Sequence, residues 1–506
     1  MPVLVEDQTS ILIESRRWMG VTLHLSLLAA LTVAAIFVHG YHPYVVDGSI
    51  YVTGIKKSIH PLLFAHDDAF VATHARLSAF SRVMAGLQEA TGISLDWLLL
   101  LTYAALLWGL LAICFLLGQR VAGSRAGGWG ATLLMATCFP VPVAATSLLL
   151  VDPYLTARSF STPAALLAVL ACVEGRRRAS ALLCLLTACF HPLMGVYIAA
   201  FVVLYWLVEQ RRWRWIGASC VVVFCVCGGL FVADLGTPVS AVYREAVQSR
   251  DYYFPAVWHW YELVGLVAPV AMMAATWRWR GLRTETGRLA LTSVLLAAIS
   301  SACCFCFVHR GGPYLLARLQ MLRSFHTIYA VGVILLGSSI AVRLSRGGRA
   351  WAAAGLAVCA MGMFLMQRHT FSALPDVERP GARQNAWEEG FVWIRDHAPA
   401  AALFAMEPGV LDFGQEQAPG FRAVAERSIL VDVKDEGLAS LFPTLAPAWD
   451  RNRRAEEGPG ALDDGARVTR LQAHGVDWVI LPSRAETLLA CPYRNAVMQV
   501  CRVAAR

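Results

Sequence analysis

The sequence predicts an α-helical polytopic membrane protein of about eleven transmembrane helices, followed by a small C-terminal α/β domain outside the membrane. Hydrophobic residues make up 57% of its 506 residues and charged residues only 15%. Apolar runs of about twenty residues recur, and a helix of that length crosses a hydrocarbon core of about 30 Å. Beyond residue 368 charged residues return and the apolar runs shorten to strand length.

The first apolar run, 19–39, is too long for a signal peptide and is not followed by a small-residue cleavage site, so we expect it to be retained. Between 160 and 208 two short runs flank the proline of "CFHPLMG", which indicates either two thin crossings or one broken element. The predicted crossings are 19–39, 96–117, 128–150, 160–174, 179–191, 192–208, 215–235, 260–277, 288–308, 324–342 and 350–368.

The net charge of +8 is distributed over alternate loops. This pattern predicts a cytoplasmic N-terminus, an extracytoplasmic tail and a multi-pass protein of the plasma (inner) membrane. Because membrane topology accounts for the positive charge, nucleic acid is not expected as a partner. The basic clusters are Arg16 and Arg17, Arg120 and Arg125, "GRRRA" at 175–179, "QRRWRW" at 210–215, "WRWRGLR" at 277–283 and "VRLSRGGR" at 342–349.

The change in composition after residue 368 predicts two domains. They are a membrane domain, 1–368, with a long outer loop at 40–95, and an extracytoplasmic α/β domain, 369–506. In the tail "NAWEEGFVWIRDHAP" reads as a helix. Strands are predicted for "ALFAME", "SILVDV", "DWVIL" and "AVMQVCRV". "RNRRAEEGPGALDDGARV" is expected to be a loop leading into a helix. Whether Cys491 and Cys501 form a disulfide stays open.

Acidic, imidazole and guanidinium side chains collect in the predicted outer loops, whereas the inner loops lack this mixture. Arginines there suit a phosphate or diphosphate. A carboxylate facing such a site could act as general base on a hydroxyl. Asp47 is the first candidate base, and Asp67 or Asp68 the next. Candidate binding residues are Arg158, His191, His309, Arg310, Arg318 and Arg323.

Each candidate also has a structural explanation. The carboxylates stand where helix N-caps are expected, and arginines near a membrane surface often anchor in head groups. Arg318 falls within the apolar stretch "YLLARLQML", so we expect it to have an anionic partner. The stretch "HDD" at 66–68 and His74 lack the tight spacing of a metal site. No cofactor is required by the pattern, and a divalent cation stays open.

Four parts of the chain resemble the GT-C superfamily, polytopic glycosyltransferases that take a sugar from a polyprenyl-phosphate carrier on the outer face. They are "YHPYVVDGSIYV", the long loop to 95, "CFHPLMG" and "WIRDHAPAAALFAMEP". The resemblance implies a catalytic base at Asp47 and carrier-phosphate binding by Arg158, Arg310 and Arg318. The chain departs from the family where Gly48 and Ser49 follow Asp47, because the paired acid of a D-x-D or E-x-D motif is missing.

The resulting hypothesis is a membrane glycosyltransferase that moves a sugar from a polyprenyl-phosphate carrier in the bilayer to an acceptor hydroxyl. The acceptor is a glycan, lipid or protein that the sequence does not identify. One alternative is a transporter or flippase for a lipid-linked or anionic solute, which predicts charges at mid-membrane and paired repeats. Another is a non-catalytic membrane scaffold, which predicts that the acids of the outer loops are dispensable.

Overall fold

The computed structural model describes residues 22–344, 346–371, 385–406, 419–457 and 463–503. Arg16 and Arg17, which contribute to the predicted orientation, lie outside these residues. The helices of the first two ranges are α1 Thr22–His39, α2 Val46–Ile59, α3 Asp68–Arg76, α4 Phe80–Thr91, α5 Leu95–Ala122, α6 Arg125–Thr137, α7 Ala157–Val173, α8 Arg177–Phe190, α9 Pro192–Glu209, α10 Trp213–Leu235, α11 Ala241–Gln248, α12 Trp260–Arg280, α13 Glu285–Phe307, α14 Phe325–Arg343 and α15 Arg346–Thr370.

The chain is a polytopic helical membrane protein. Within the described ranges, eight helices are long and apolar enough to cross a membrane: α1, α5, α9, α10, α12, α13, α14 and α15. The remaining predicted crossings correspond to α6, α7 and α8, which have 13, 17 and 14 residues. The proline of "CFHPLMG" opens α9 at Pro192, a position where its missing N–H removes no intrahelical hydrogen bond.

The predicted crossing at 128–150 is wrong in its second half. Helix α6 ends at Thr137, and the backbone from 138 to 156 is irregular. Pro140 and Pro142 explain the break, since proline supplies no N–H and disfavours helix in the preceding residue. The segment is apolar because it is buried in protein, where its backbone pairs locally, for example from Leu150 N to the Val141 carbonyl at 3.0 Å.

The basic turns between α5 and α6, α7 and α8, α9 and α10, and α12 and α13 meet at one end of the bundle. Arg120 forms an ion pair with Glu285 at 2.6 Å, which joins the first of these turns to the last. Arg288 bonds Glu209 at 3.1 Å. The Arg177 and Arg212 guanidinium groups lie over the Trp206 ring, 5.2 and 5.5 Å from its centroid. The alternation of basic loops in the sequence therefore corresponds to a real division of the bundle into two ends.

The opposite end, here called the loop end, carries the segments 40–94, 138–156, 236–259 and 308–324 together with the tail. Helices α2, α3 and α4 occupy the first segment. The stretch after the first of these helices is divided into two separate helices, α3 and α4. Val52 and Ile55 of α2 are buried, and Lys56 Nζ donates to the Ala423 carbonyl of the tail at 2.7 Å. Helix α2 is thus covered by the tail.

The tail is a small α/β domain with a five-stranded sheet in the order β2-β1-β3-β5-β4. Strands β1, β2 and β3 are parallel, β5 is antiparallel to β3, and β4 is antiparallel to β5. Its elements are α16 Ala386–His397, β1 Leu403–Met406, α17 Phe421–Ala425, β2 Ser428–Ile429, α18 Asp435–Leu441, α19 Ala446–Glu456, α20 Asp464–Gln472, β3 Trp478–Pro482, β4 Tyr493–Arg494 and β5 Met498–Arg502.

The predicted helix of the tail is confirmed as α16, and the strands predicted in "ALFAME", "DWVIL" and "AVMQVCRV" as β1, β3 and β5. Only the first two residues of "SILVDV" form a strand, β2, and the loop predicted from 451 is wrong over its first residues. These belong to α19, where Asp450 bonds Arg453 at 3.1 Å and Arg454 at 2.9 Å. Such pairs three and four residues apart support a helix despite a high charge density. Both glycines of "EEGPGAL", Gly458 and Gly460, lie outside the described residues. Cys491 and Cys501 form a disulfide.

Candidate functional site

Asp47 and Arg158 meet at the loop end although 111 positions separate them in the sequence. Arg158 Nη2 lies 3.0 Å from Asp47 Oδ2, and Arg158 Nε lies 2.9 Å from Asp152 Oδ2. The Arg158 residue is only 7% exposed. Its guanidinium group is therefore held between two carboxylates, an arrangement that removes most of its rotational freedom.

The start of α7 fixes this arginine. The Thr156 hydroxyl accepts from Arg158 N at 3.2 Å, and Ser159 completes the capping box by accepting from Thr156 N. The Thr156 hydroxyl in turn donates to Asp152 at 3.3 Å. The Tyr103 hydroxyl donates to the Asp152 carbonyl at 2.8 Å. One short sequence, "VDPYLTARS", thus places both the cation and its buried counter-ion.

The backbone beside Asp47 is constrained. Val46 has a φ of 46°, a left-handed conformation that a β-branched residue rarely adopts. Gly48 packs so closely that a Cβ atom there would stand 2.6 Å from the Pro43 carbonyl oxygen. Unusual backbone of this kind is often found where a side chain must be aimed in a particular direction. Here it presents the Asp47 carboxylate to Arg158.

Two further cations act on Asp47. Lys434, from the tail, places its Nζ 3.3 Å from Asp47 Oδ1. Burial alone would raise the pKa of Asp47, but Lys434 and Arg158 outweigh it, Arg323 adds to them, and the pKa lies well below the ordinary range of a carboxyl group. The Asp47 side chain keeps 30% of its exposure, so the ion pair is open on one side.

Arg323 is a cation without a carboxylate partner in the described part of the chain. Its guanidinium group lies over the Tyr252 ring, 5.4 Å from the centroid, and its buried Nε has no hydrogen-bond partner there. Two imidazoles accompany it: His326 contacts the Leu150 carbonyl at 3.0 Å, and His191 caps α9. Burial, with the nearby charges of Arg158 and Arg323, lowers the pKa of His191 to about 3.

Of the predicted binding residues, Arg158 and Arg323 act on Asp47 and His191 lies near both arginines. His309, Arg310 and Arg318 lie elsewhere at the loop end. Arg310 is half-exposed and sits 3.5 Å from Asp251. His309 contacts the Cys306 carbonyl. Arg318 stands in the 3-10 turn Ala317–Leu319 and donates to the Leu441 carbonyl at 3.3 Å. Arg318 has no carboxylate partner among the described residues, and its buried Nε has no hydrogen-bond partner there, so its anionic partner stays a prediction.

Asp67 and Asp68 have different environments from Asp47. Asp67 is buried and accepts from Arg422 Nε of the tail. Arg422 also bonds both oxygens of Asp435, each at 2.7 Å. Asp68 is half-exposed and pairs with Lys57 at 2.6 Å. The alternative of side-chain capping is not seen for Asp47 or Asp67, since α2 begins after Val45 and neither α2 nor α3 has a capping hydrogen bond from a side chain.

Among the described residues, neither His66 nor His74 belongs to a group arranged as a metal cluster. His66 Nε2 contacts the Ala401 carbonyl at 3.1 Å, and the His74 ring packs edge-on against Tyr51, 4.9 Å between centroids. Burial lowers the pKa of His74 to about 4, although the nearby Asp47 charge opposes this. In the ranges that the structure describes, no group of three or more His, Cys, Asp or Glu is arranged to hold a metal ion.

The sequence analysis did not identify Lys434 as a site residue, although the rarity of lysine in this chain distinguishes it. The chain contains three lysines among 43 Lys and Arg residues. Lys56 pairs with Glu426 of the tail, Lys57 with Asp68, and Lys434 with Asp47. A residue type that the chain almost never uses is thus confined to the region where the first loop meets the tail.

No protein-family model and no curated protein matches this chain. Among solved structures, it is similar to the archaeal oligosaccharyltransferase AglB from Archaeoglobus fulgidus in complex with an inhibitory peptide and a dolichol-phosphate. The TM-score is 0.40 at 12% identity, and the match covers 92% of this chain and 70% of that one. At this level of similarity, neither the activity nor the residue roles of AglB transfer to this chain.

Proposed function

We propose that this protein is a membrane glycosyltransferase that moves a sugar from a polyprenyl-phosphate carrier to an acceptor hydroxyl at the loop end. The observation that supports it most is the single open cluster of the Asp47 carboxylate with the Arg158, Lys434 and Arg323 cations. Such a cluster offers a proton acceptor and a binding site for anionic oxygens within a few ångströms.

The cations are suited to a phosphate. Arg158 and Lys434 each already bind one carboxylate oxygen of Asp47. A carrier phosphate would compete with that carboxylate for the same donors, and it would also find Arg323, which lacks a carboxylate partner among the described residues. Guanidinium groups bind phosphate oxygens in pairs and an ammonium adds a point charge.

An apolar cleft next to the cluster supports a lipid carrier. Its lining includes Leu106, Leu107 and Leu110 of α5 together with Asp152, Arg158 and His326. Leucines beside charged side chains are the lining that an isoprenoid chain with a phosphate head group requires. Because the cleft encloses only about 20 Å³, α5 and its neighbours would separate to admit the lipid. The lipid would then enter from the bilayer with its phosphate at Arg158.

Asp47 would act as the general base. The acceptor hydroxyl gives its proton to the carboxylate, and its oxygen attacks the anomeric carbon from the face opposite the phosphate. The bond from that carbon to the phosphate oxygen breaks, the electron pair leaves with the phosphate, and the configuration inverts. The cations stabilise the departing phosphate. Because the phosphate also draws Arg158 and Lys434 away from Asp47, the pKa of the carboxyl group rises when the donor binds, which makes it a better base.

The remaining elements take supporting roles in this proposal. We place the membrane domain at 1–368 and an extracytoplasmic domain at 369–506, in a plasma (inner) membrane protein with a cytoplasmic N-terminus. The domain 369–506 supplies Lys434 to the site, and Asp67 anchors it through Arg422. Asp68, His309, Arg310 and Arg318 lie outside the reacting groups. Side-chain cations charge the site in this proposal, and a divalent cation stays open.

The test is turnover by the full-length Asp47→Asn variant in lipid nanodiscs. The substrate is decaprenyl phosphate carrying a hexose or pentose, with membrane extract as the acceptor source, and release of bare decaprenyl phosphate is followed by mass spectrometry. Asp68→Asn is the matched control, because that carboxylate lies in the same loop and pairs with Lys57. We expect loss of release in Asp47→Asn and near-normal release in the control. Equal release in both variants would favour a scaffold or transporter.

A further inference from the structure

A second cleft lies beside the cluster and shares Arg323 with it. The cleft is lined by two tyrosines and two polar side chains from the segments 236–259 and 308–324, together with apolar residues. It encloses only about 10 Å³, so its side chains would move apart to admit a sugar ring. The lining residues used below are Tyr252, Tyr253, Gln320 and Arg323. Neither the proton transfer nor the phosphate binding proposed above uses Tyr252, Tyr253 or Gln320.

Two buried polar atoms in this cleft have no hydrogen-bond partner within the described chain: Gln320 Oε1, an acceptor, and Arg323 Nε, a donor. The Gln320 residue is only 9% exposed. Buried polar atoms are nearly always paired, and leaving one unpaired is unfavourable. A ligand that offers both a donor and an acceptor would satisfy both atoms, and a sugar hydroxyl group is a ligand of this kind.

Gln320 is held in place rather than free to turn. Its φ is 47°, a left-handed conformation that is uncommon for a residue other than glycine. The Tyr197 hydroxyl donates to its carbonyl at 3.1 Å. Its Nε2 donates to the Tyr253 hydroxyl at 3.2 Å, which in turn contacts Ser440 Oγ of the tail at 3.1 Å. Because the amide nitrogen is engaged in this chain, the amide oxygen remains for a ligand.

The tyrosines add an aromatic wall. The rings of Tyr252 and Tyr253 pack edge-to-face, 4.8 Å between centroids, and Tyr252 lies beneath the Arg323 guanidinium group. A sugar ring has an apolar C–H face and hydroxyl groups along its edge. Aromatic rings next to a few convergent polar groups match both features.

We propose that this cleft is the subsite for the saccharide attached to the carrier phosphate. The inference rests on the proposed function and deepens it. Arg323 acts on the Asp47 charge and also lines the cleft, so the cleft adjoins the cations that would hold the carrier phosphate. This continuity favours the donor sugar over the acceptor as the occupant.

The test compares two probes on the full-length protein in nanodiscs: bare decaprenyl phosphate, and decaprenyl phosphate carrying a hexose or pentose. Gln320→Asn shortens the amide by one methylene and keeps a residue type that tolerates the left-handed conformation. Tyr252→Leu removes the ring. Tyr261→Leu is the matched control, because Tyr261 is 58% exposed and does not line the cleft.

We expect each cleft variant to weaken binding of the sugar-bearing carrier about tenfold, which corresponds to the loss of one good contact. Binding of the bare carrier should stay within about twofold, and the control should match the parent protein for both probes. Unchanged binding of the sugar-bearing carrier in both cleft variants, or equal weakening for the two probes, overturns the subsite. Binding of neither probe by the parent protein would overturn the proposed function itself.

Discussion

Lys434 Nζ lies 3.3 Å from Asp47 Oδ1, although 387 positions separate the two residues in the sequence. Lys434 immediately precedes α18, and side chains at several positions of this helix bond residues of the loop end. Glu436 bonds Arg250 at 2.8 Å, and Ser440 Oγ contacts the Tyr253 hydroxyl at 3.1 Å. The tail is therefore part of the candidate site and not an appended module.

Replacing Lys434 by methionine should weaken binding of decaprenyl phosphate by about tenfold, because one of the phosphate-binding charges is lost. Since the ammonium lowers the pKa of Asp47, the acidic limb of the turnover profile should also move to higher pH. Binding is measured by titration in nanodiscs, with Lys57→Met as the control, because Lys57 pairs with Asp68 instead. Identical affinity and pH profile in Lys434→Met and the control would contradict the assignment.

Removing Arg422 should detach the tail from the first loop. Arg422→Met leaves the carboxylates of Asp67 and Asp435 buried without their partner, and breaking a buried pair in this way costs about 3–5 kcal/mol. Amide hydrogen exchange over 419–457 should then accelerate strongly. Lys57→Met removes a pair with the half-exposed Asp68 and two bonds to backbone carbonyls of the same loop, none of them to the tail, and should leave exchange over 419–457 nearly unchanged. Full protection of 419–457 in Arg422→Met would show that other contacts hold the tail.

His74 should make the folded protein less stable as the pH falls below neutrality. Burial lowers its pKa from 6.5 to about 4, so between these values the unfolded chain binds a proton that the folded chain excludes. The stabilisation is complete above pH 6.5 and is lost as the pH falls towards 4, by at most about 1.4 kcal/mol per pH unit. In thermal unfolding, the free energy of unfolding of His74→Gln should decline less steeply between pH 6.5 and 4 than that of the parent protein. Equal slopes for the two proteins would contradict this role of His74.

The bundle was predictable because a membrane helix is encoded locally, by an apolar run of sufficient length. The boundary error at Thr137 arose where the apolar character of 138–156 reflects burial in protein and not contact with lipid. Asp47 and Arg158 were each identified by residue type and loop position, but their contact depends on how α2 and α7 pack. The contact of Lys434 with Asp47 also depends on tertiary packing, and no local pattern in the tail reveals it. Nor does the sequence reveal that Arg318 donates to the Leu441 carbonyl.

The affinity of Asp47→Asn for bare decaprenyl phosphate tests the central claim most directly, when measured beside its turnover of the sugar-bearing carrier. Asparagine keeps the shape of the side chain but no longer competes with phosphate for Arg158 and Lys434. We predict tighter binding of the bare carrier, by about tenfold, together with loss of sugar release, because the proton acceptor is gone. Weaker binding than in the parent protein, or sugar release at the parent rate, would contradict a shared site for the phosphate and the base.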